Sequence, residues 1–193
     1  MNKHFTTKKI VMTALMAALT VAGSALRIKV PSIVGTSAFH LGNIMCALSG
    51  ILLGPWLGGL ASGLGSALYD ILLDPAYISE SWITLLTKGA YGLVAGLVAY
   101  GFRTNWHTAA KKYLRALLAT VAGAVTYAIL YLSKTCFYSG MLMKGLPLEG
   151  ALWGTADKLP ATTFNMAVAI VAAPLLAMAL KKALKSSGTL SGT

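Results

Sequence analysis

The chain has 193 residues, of which 56% are hydrophobic and only 11% are charged, and its formal net charge is +11. Soluble domains carry about 25% charged residues, so this composition excludes an ordinary soluble enzyme and a disordered chain alike. The two cysteines, Cys46 and Cys136, lie far apart in sequence, which excludes a disulfide scaffold and a cysteine-based zinc site.

Six apolar segments approach the roughly 20 residues that a helix needs to cross a bilayer. In chain order they are Ile10–Leu26, Ala38–Leu53, Trp56–Leu73, Trp82–Phe102, Ala116–Tyr138 and Ala156–Leu180. Gly54 and Pro55 separate the short second and third segments, and this pair is typical of turns, so the two are predicted to form a tight helical hairpin. The predicted fold is an all-α membrane protein, a single domain over residues 1–193 with six transmembrane helices in one compact bundle.

The basic residues predict the orientation of this bundle. Ten of the 16 fall on one side of a six-span chain, namely Lys3, Lys8, Lys9, Arg103, Lys111, Lys112, Arg115, Lys181, Lys182 and Lys185. The five acidic residues fall on or near the other side, namely Asp70, Asp74, Glu80, Glu149 and Asp157. Because cytoplasmic loops carry an excess of Lys and Arg, both termini are predicted to be cytoplasmic.

The first span has a second interpretation, a cleaved signal peptide, because it follows a basic start and ends in small residues. Its apolar run is longer than the usual 7–15 residues of such a peptide. Ala14, Ala18 and Ala22 also recur along one face, and a helix that is discarded has no need of such a stripe. We therefore favour a transmembrane helix.

Motifs for catalysis are missing from the sequence. It contains neither the phosphate-binding G-x-x-x-x-G-K-[ST] pattern nor the metal-binding H-E-x-x-H pattern. The three histidines, His4, His40 and His107, lie in separate segments and are not expected to cluster. The chain is predicted not to be an enzyme and to need neither a cofactor nor a metal.

Ionisable residues inside membrane spans are costly, and each is by default a hypothesis for a functional site. Lys88 lies in the outer third of the fourth span and Lys134 near the outer end of the fifth. Asp70 lies in the last turn of the third span, and Asp157 and Lys158 begin the sixth. All of these residues are predicted to lie at a similar depth, toward the external face.

Helical spacing places the polar and aromatic residues in stripes, one on each of three spans. The stripes are Thr84, Lys88 and Tyr91 on the fourth span, Tyr127, Tyr131, Lys134 and Tyr138 on the fifth, and Lys158, Thr162 and Asn165 on the sixth. If the stripes converge, they line an outward-opening cavity with tyrosine faces for stacking and polar groups for hydrogen bonds. Small-molecule sites have this makeup.

Structural alternatives stay open for several of these residues. Trp82 and Tyr138 fit an aromatic belt at the level of the lipid headgroups. The long side chains of Lys88 and Lys134 can also extend to these headgroups. Small residues on the spans have an alternative of their own, since they allow helices to approach closely in lipid. We expect internal packing for the glycines, whereas the alanine stripe of the first span has docking to a partner as an alternative.

The acidic and outermost residues have structural alternatives as well. Asp70 is a candidate for an ion pair with Lys88 or Lys158, and Asp157 for a favourable charge at a helix N-terminus. His40 and Asn43, at the outer start of the second span, are expected to be structural, with contact to a ligand as the alternative.

The chain resembles the substrate-binding S component of an energy-coupling factor (ECF) vitamin transporter, in its riboflavin-transporter-like branch. The resemblance covers nearly the whole chain and includes the basic N-terminus and the alanine stripe of the first span. Its other matches are Phe39–Asn43, Leu52–Gly59, Gly65–Asp70 and Lys88–Gly89. It implies a vitamin or vitamin precursor bound near the external face and a prokaryotic plasma membrane as the location.

The resemblance also implies partners and site residues. Ala14, Ala18 and Ala22 would contact a transmembrane coupling subunit, which two ATPase subunits energise, and the segment Arg27–Phe39 would act as a lid. Nucleic acid is not expected among the partners. With the polar stripes, the candidate substrate-binding residues are Arg27, Asn43, Thr84, Lys88, Tyr91, Tyr127, Tyr131, Lys134, Lys158, Thr162 and Asn165.

Two other function classes compete with a vitamin-binding subunit. In a stand-alone secondary transporter, Asp70 and Asp157 would carry coupling protons, although neither lies near the bilayer centre and no inverted repeat is visible. In a structural or assembly protein of the membrane, the lysine and aspartate side chains would form internal pairs. Co-purification with ATPases distinguishes these classes from the first.

Overall fold

The computed structural model describes residues 7–34, 36–101 and 108–186. Several residues used in the charge, histidine and lid predictions lie outside the described residues, namely Lys3, His4, Gly35, Arg103 and His107. The described chain begins with helix α1, Thr7–Ala25, and continues in two strands, β1 at Arg27–Pro31 and β2 at Thr36–His40. The remaining elements are α2 Gly42–Leu53, α3 Pro55–Leu73, a 3₁₀-helix Pro75–Glu80, α4 Ser81–Gly101, α5 Ala109–Ser133, a π-helix Lys134–Met143, α6 Leu148–Ala156 and α7 Leu159–Ser186.

The helices agree with five of the six predicted spans, and the second predicted span corresponds to the short helix α2. Five stretches are long and apolar enough to cross a membrane, and α2 is a shorter apolar helix. At about 1.5 Å per residue, the 12 residues of α2 extend only about 18 Å. Ten of these residues are buried, because α1, α3, α4, α5 and α7 all pack around this helix. The short second span is therefore the centre of the bundle.

The predicted hairpin of the second and third spans is present. Gly54 has a φ of +85°, a conformation that costs other residues a steric penalty, and Pro55 occupies the first turn of α3, where its missing N–H is harmless. A Cβ atom on Gly58 would overlap the backbone of Gly50, so the two helices touch along their glycines. The glycines thus serve internal packing, as expected.

The alanine stripe of α1 does not take part in this packing. The buried residues of α1 include Thr13, Met16 and Thr20, and this face lies on α3. Ala14, Ala18 and Ala22 are all exposed.

Two segments fold differently from the predictions. The segment Ala38–His40, which was assigned to the second span, pairs with Arg27–Lys29 in an antiparallel hairpin, so the fold is not purely helical. The sixth span was expected to begin at Ala156, but its helix α7 begins at Leu159, after the separate helix α6. An apolar composition does not distinguish a strand from a helix end, which explains the first difference. Hydropathy also does not detect a break between two consecutive apolar helices, which explains the second.

The π-helix changes the predicted stripe on the fifth span. An α-helical period puts Tyr138 on the same face as Lys134, but the winding widens from Lys134 onward. Tyr138 consequently lies edge-on against Trp82, with ring centroids 5.9 Å apart. The stripe of the fifth span ends at Lys134.

Candidate functional site

A cavity of about 780 Å³, measured with its open mouth, lies at the end of the bundle that carries the β-hairpin. Eight of the eleven candidate substrate-binding residues line it, namely Arg27, Thr84, Lys88, Tyr127, Tyr131, Lys134, Thr162 and Asn165. The three predicted stripes therefore converge on one cavity.

The other three candidates do not line the cavity. Asn43 and Tyr91 are buried beside its lining residues, at 1% and 0% exposure. Lys158 is also buried, and its ammonium group donates to the Thr36 carbonyl oxygen of the hairpin at 2.5 Å. These residues support the wall instead of forming it.

One part of the wall is aromatic. Tyr127 and Tyr131 lie one helical turn apart on α5, and their rings stack with centroids 5.5 Å apart. Tyr91 on α4 continues this stack behind Tyr127, at 6.0 Å. The wall thereby offers a flat, polarisable surface to a ligand.

Lys88 sits against this surface. Its Nζ atom lies 3.9 Å from the centroid of the Tyr127 ring and donates to Oδ1 of Asn43. Its side chain is buried, so the ammonium group has a neutral amide and an aromatic face as its closest partners. A cation over an aromatic face is stabilised by the negative potential of the ring.

The considered ion pair between Lys88 and Asp70 is not formed among the described residues. Asp70 is buried at the end of α3 and lines the cavity, as does Thr84. Both charged groups line the same cavity without touching each other.

Three other cations at or beside the wall do have carboxylate partners. Arg27 donates to Asp74 at 2.9 Å, and Lys29 binds the second oxygen of the same carboxylate, also at 2.9 Å. Lys134 pairs with Glu80, which accepts a further hydrogen bond from Ser139 at 2.7 Å. From the sequence alone, Asp74 and Glu80 indicated only the orientation of the bundle.

The β-hairpin is fastened to the rest of the wall by polar contacts. Asn165 on α7 accepts from the His40 backbone N–H at 2.9 Å and donates to the Ala38 carbonyl at 2.8 Å. Tyr77 donates to the Thr36 carbonyl at 2.6 Å. The hairpin thus closes one side of the cavity, where the resemblance implies a lid.

His40 lies at the junction of the hairpin and α2 and lines the cavity. Burial, reinforced by the positive charges of Lys88 and Arg27, holds the pKa of His40 well below its usual value of 6.5. Its Nδ1 atom accepts a hydrogen bond from the Gly42 N–H at 3.1 Å, which requires that nitrogen to be unprotonated. The structure therefore has a neutral His40 in the wall.

Several lining residues were not selected from the sequence, namely Ser24, Thr36, Ala38, Ser66, Tyr77, Ile83, Thr87 and Ala161. Most are small or lie in the hairpin and the 3₁₀-helix, where helical spacing gives no signal. Within the described residues, no three His, Cys, Asp or Glu side chains are grouped closely enough to hold a metal ion.

Comparison with known proteins places the chain among membrane transport components. A family model described as "ECF-type riboflavin transporter, S component" matches residues 4–182. An "Uncharacterized protein in gap 3'region" of Pyrococcus woesei is 38% identical over 116 residues, which cover 60% of this chain and 70% of that protein. A "UPF0397 protein" of Streptococcus gordonii is 34% identical over 94 residues, about half of each chain. Because the family model spans nearly the whole sequence, the chain belongs to the family of S components of ECF-type riboflavin transporters.

Proposed function

We propose that this chain is a single-domain, high-affinity binding subunit for the uptake of a water-soluble vitamin or vitamin precursor. It works with a transmembrane coupling subunit and two ATPases in a prokaryotic plasma membrane, with both of its termini in the cytoplasm. The observation that carries the proposal is the cavity, which is lined by the three polar stripes in a chain of the S component family. Binding is assigned to this cavity and energy supply to the partners.

The composition of the cavity wall supports this assignment. Stacked tyrosines, the lysine Lys88 and the hydroxyl and amide groups of Thr162 and Asn165 line this cavity together. Sites for small molecules combine such an apolar lining with a few polar groups that fix orientation. The hairpin side of the bundle is proposed to face the outside.

The exposed face of α1 supports the partner assignment. Ala14, Ala18 and Ala22 have no packing role in the described bundle, since α1 uses another face against α3. A stripe of small side chains allows a second helix to approach closely in lipid. We assign this stripe to the coupling subunit.

Gentle purification tests the function. The chain is expressed with a coupling subunit and ATPases, extracted in mild detergent and studied by native mass spectrometry. We expect an assembly of all subunits and a retained vitamin or precursor, with riboflavin as the first compound to be tested. A chain that purifies alone and accumulates a solute by a proton gradient would instead be a secondary transporter, and a chain without any ligand or transport would be an assembly protein.

A further inference from the structure

Arg27 and Asp74 meet at the side of the cavity that the hairpin closes. Arg27 lines the cavity, and its guanidinium group donates through Nη1 to Oδ2 of Asp74 at 2.9 Å. Asp74 follows the last residue of α3, is 1% exposed and does not itself line the cavity. A buried carboxylate in this position can influence a ligand only through the lining residue that it contacts.

Three contacts fix the plane of the Arg27 guanidinium group. Besides the contact to Asp74, its Nε atom donates to the Ser24 carbonyl at 2.7 Å, and its Cζ atom lies 3.9 Å from the centroid of the Tyr69 ring. A guanidinium group is planar, so these contacts determine where its remaining N–H groups lie. Among the described residues, nothing accepts from the two N–H groups of Nη2. These two donors are therefore available to a molecule in the cavity.

Lys29 binds the same carboxylate and provides a matched comparison. It lies two residues after Arg27 on β1, on the same face of the strand, and its Nζ atom lies 2.9 Å from Oδ1 of Asp74. Lys29 is exposed and does not line the cavity. Loss of either cation leaves the carboxylate paired with the other one. The two losses are therefore similar for the ion pairs but different for the cavity wall.

We propose that Asp74 is a positioning residue for ligand binding. Its carboxylate holds the Arg27 guanidinium group so that Nη2 donates to an acceptor oxygen, a carbonyl or a hydroxyl, of a riboflavin-like ligand. The inference rests on the proposed function, because it takes the cavity as the binding site. Oxygens of both kinds accept N–H donors, and riboflavin carries both.

Riboflavin is the probe in the test, and the quenching of its fluorescence by the purified full-length protein in detergent gives the dissociation constant. Arg27→Met should raise this constant about ten- to a hundredfold, because a hydrogen bond from a charged donor is lost. Arg27→Lys keeps a cation beside Asp74 but lacks Nη2, so it should weaken binding to a similar extent. Lys29→Met is the matched control and should bind riboflavin as the wild type does.

A double-mutant cycle shows whether Asp74 acts through Arg27. Asp74→Asn alone should weaken riboflavin binding about tenfold. In the Arg27→Met background the same substitution should cause no further loss of affinity, because no guanidinium group is left to position. If Asp74→Asn prevents folding, Lys29→Met combined with Asp74→Asn takes its place, since it removes a cation together with the carboxylate. Melting temperatures measured without ligand report the stability of each variant separately from its affinity.

Four outcomes would overturn the inference. They are a wild-type protein that does not bind riboflavin, equal affinities of Arg27→Met and Lys29→Met, wild-type affinity of Arg27→Lys, and additive losses of affinity in the cycle. Assembly with the coupling subunit and ATPases does not depend on the Arg27 donors. A chain that assembles and retains a different vitamin disproves the inference alone. A chain that binds riboflavin with the expected losses but does not assemble disproves the proposed function alone.

Discussion

At the level of single residues, Lys134 and Glu80 show how the wall keeps its charges stable. Both side chains are about nine-tenths buried, and Ser139 donates to the second oxygen of Glu80. Removing one partner of such a pair leaves an uncompensated charge, at a cost of about 3–5 kcal/mol, whereas replacing both is often neutral. The contribution of Lys134 should therefore be larger for stability than for ligand affinity.

We expect Lys134→Met to lower the melting temperature by several degrees, and Lys134→Met combined with Glu80→Gln to restore most of the loss. Thermal unfolding in detergent, without added ligand, measures both changes. Lys144→Met is a suitable control, because among the described residues this exposed lysine donates only to the Ile33 carbonyl. A double variant as unstable as the single one would show that Lys134 does not act through Glu80.

His40 makes stability depend on pH. Its pKa is held below 6.5 in the folded protein by burial and by Lys88 and Arg27, whereas in the unfolded chain it returns to about 6.5. Below that pH, His40 binds a proton in the unfolded state but not in the folded state, so the free energy of unfolding falls as the pH decreases. The melting temperature should drop between about pH 7 and pH 5.

A matched variant isolates this effect. His40→Asn keeps an acceptor near the Gly42 N–H but does not titrate, so the fall in melting temperature should become shallower. The measurement compares the two proteins across the same buffers. If the melting temperatures of the wild type and the variant fall in parallel as the pH decreases, groups other than His40 cause the acid sensitivity.

At the level of elements, hydropathy predicted the helices well and missed the finer hydrogen-bond patterns. α1 and α3 begin and end within about three residues of the predicted spans, because their apolar runs are bounded by charged residues or by Gly54 and Pro55. The β-hairpin depends on pairing between Arg27–Pro31 and Thr36–His40. The hydropathy pattern within a short stretch of sequence does not detect such pairing. The π-helix has more residues per turn than the α-helix, whose period was used to predict the stripe on the fifth span.

The candidate site was predictable where it lies on regular helices. Lys88, Tyr127 and Tyr131 share the cavity because α-helical spacing holds throughout their segments. Lys158 follows the same spacing, yet its ammonium group is drawn to the carbonyl of Thr36, a contact 122 residues away in sequence. Contacts across such distances, including those of Asp74 and Glu80, become visible only in the folded bundle.

The exposed stripe on α1 gives a prediction at this level. Ala18→Trp should abolish assembly with the coupling subunit and transport, while binding of the retained ligand stays unchanged, because a large side chain separates two close helices and their dispersion contacts are lost. Pull-down from co-expressing cells and ligand retention measure the two properties. Ile129→Trp, on the exposed surface of α5, is the control. Loss of ligand binding with normal assembly would assign Ala18 to internal packing.

At the level of the whole molecule, charge is distributed unevenly along the bundle. At the cavity end, Arg27, Lys29 and Lys134 are paired with the carboxylates of Asp74 and Glu80. At another part of the bundle, Lys181 of α7 interacts electrostatically with Arg115 and Lys112 of α5. Like charges that repel each other are tolerated where anionic lipid headgroups offset them, which occurs at the cytoplasmic leaflet.

This distribution predicts how the molecule is oriented. Ala110→Cys, near the start of α5, should resist an impermeant thiol reagent added outside intact cells, and Glu149→Cys on α6 should react with it. Both positions are exposed, whereas the native Cys46 and Cys136 are buried and should give little background. Permeabilised cells provide the control, since Ala110→Cys should then react as well. External labelling of Ala110→Cys in intact cells would show that the bundle has the opposite orientation. The cavity would then lie at the cytoplasmic face, where it could not capture a solute from outside.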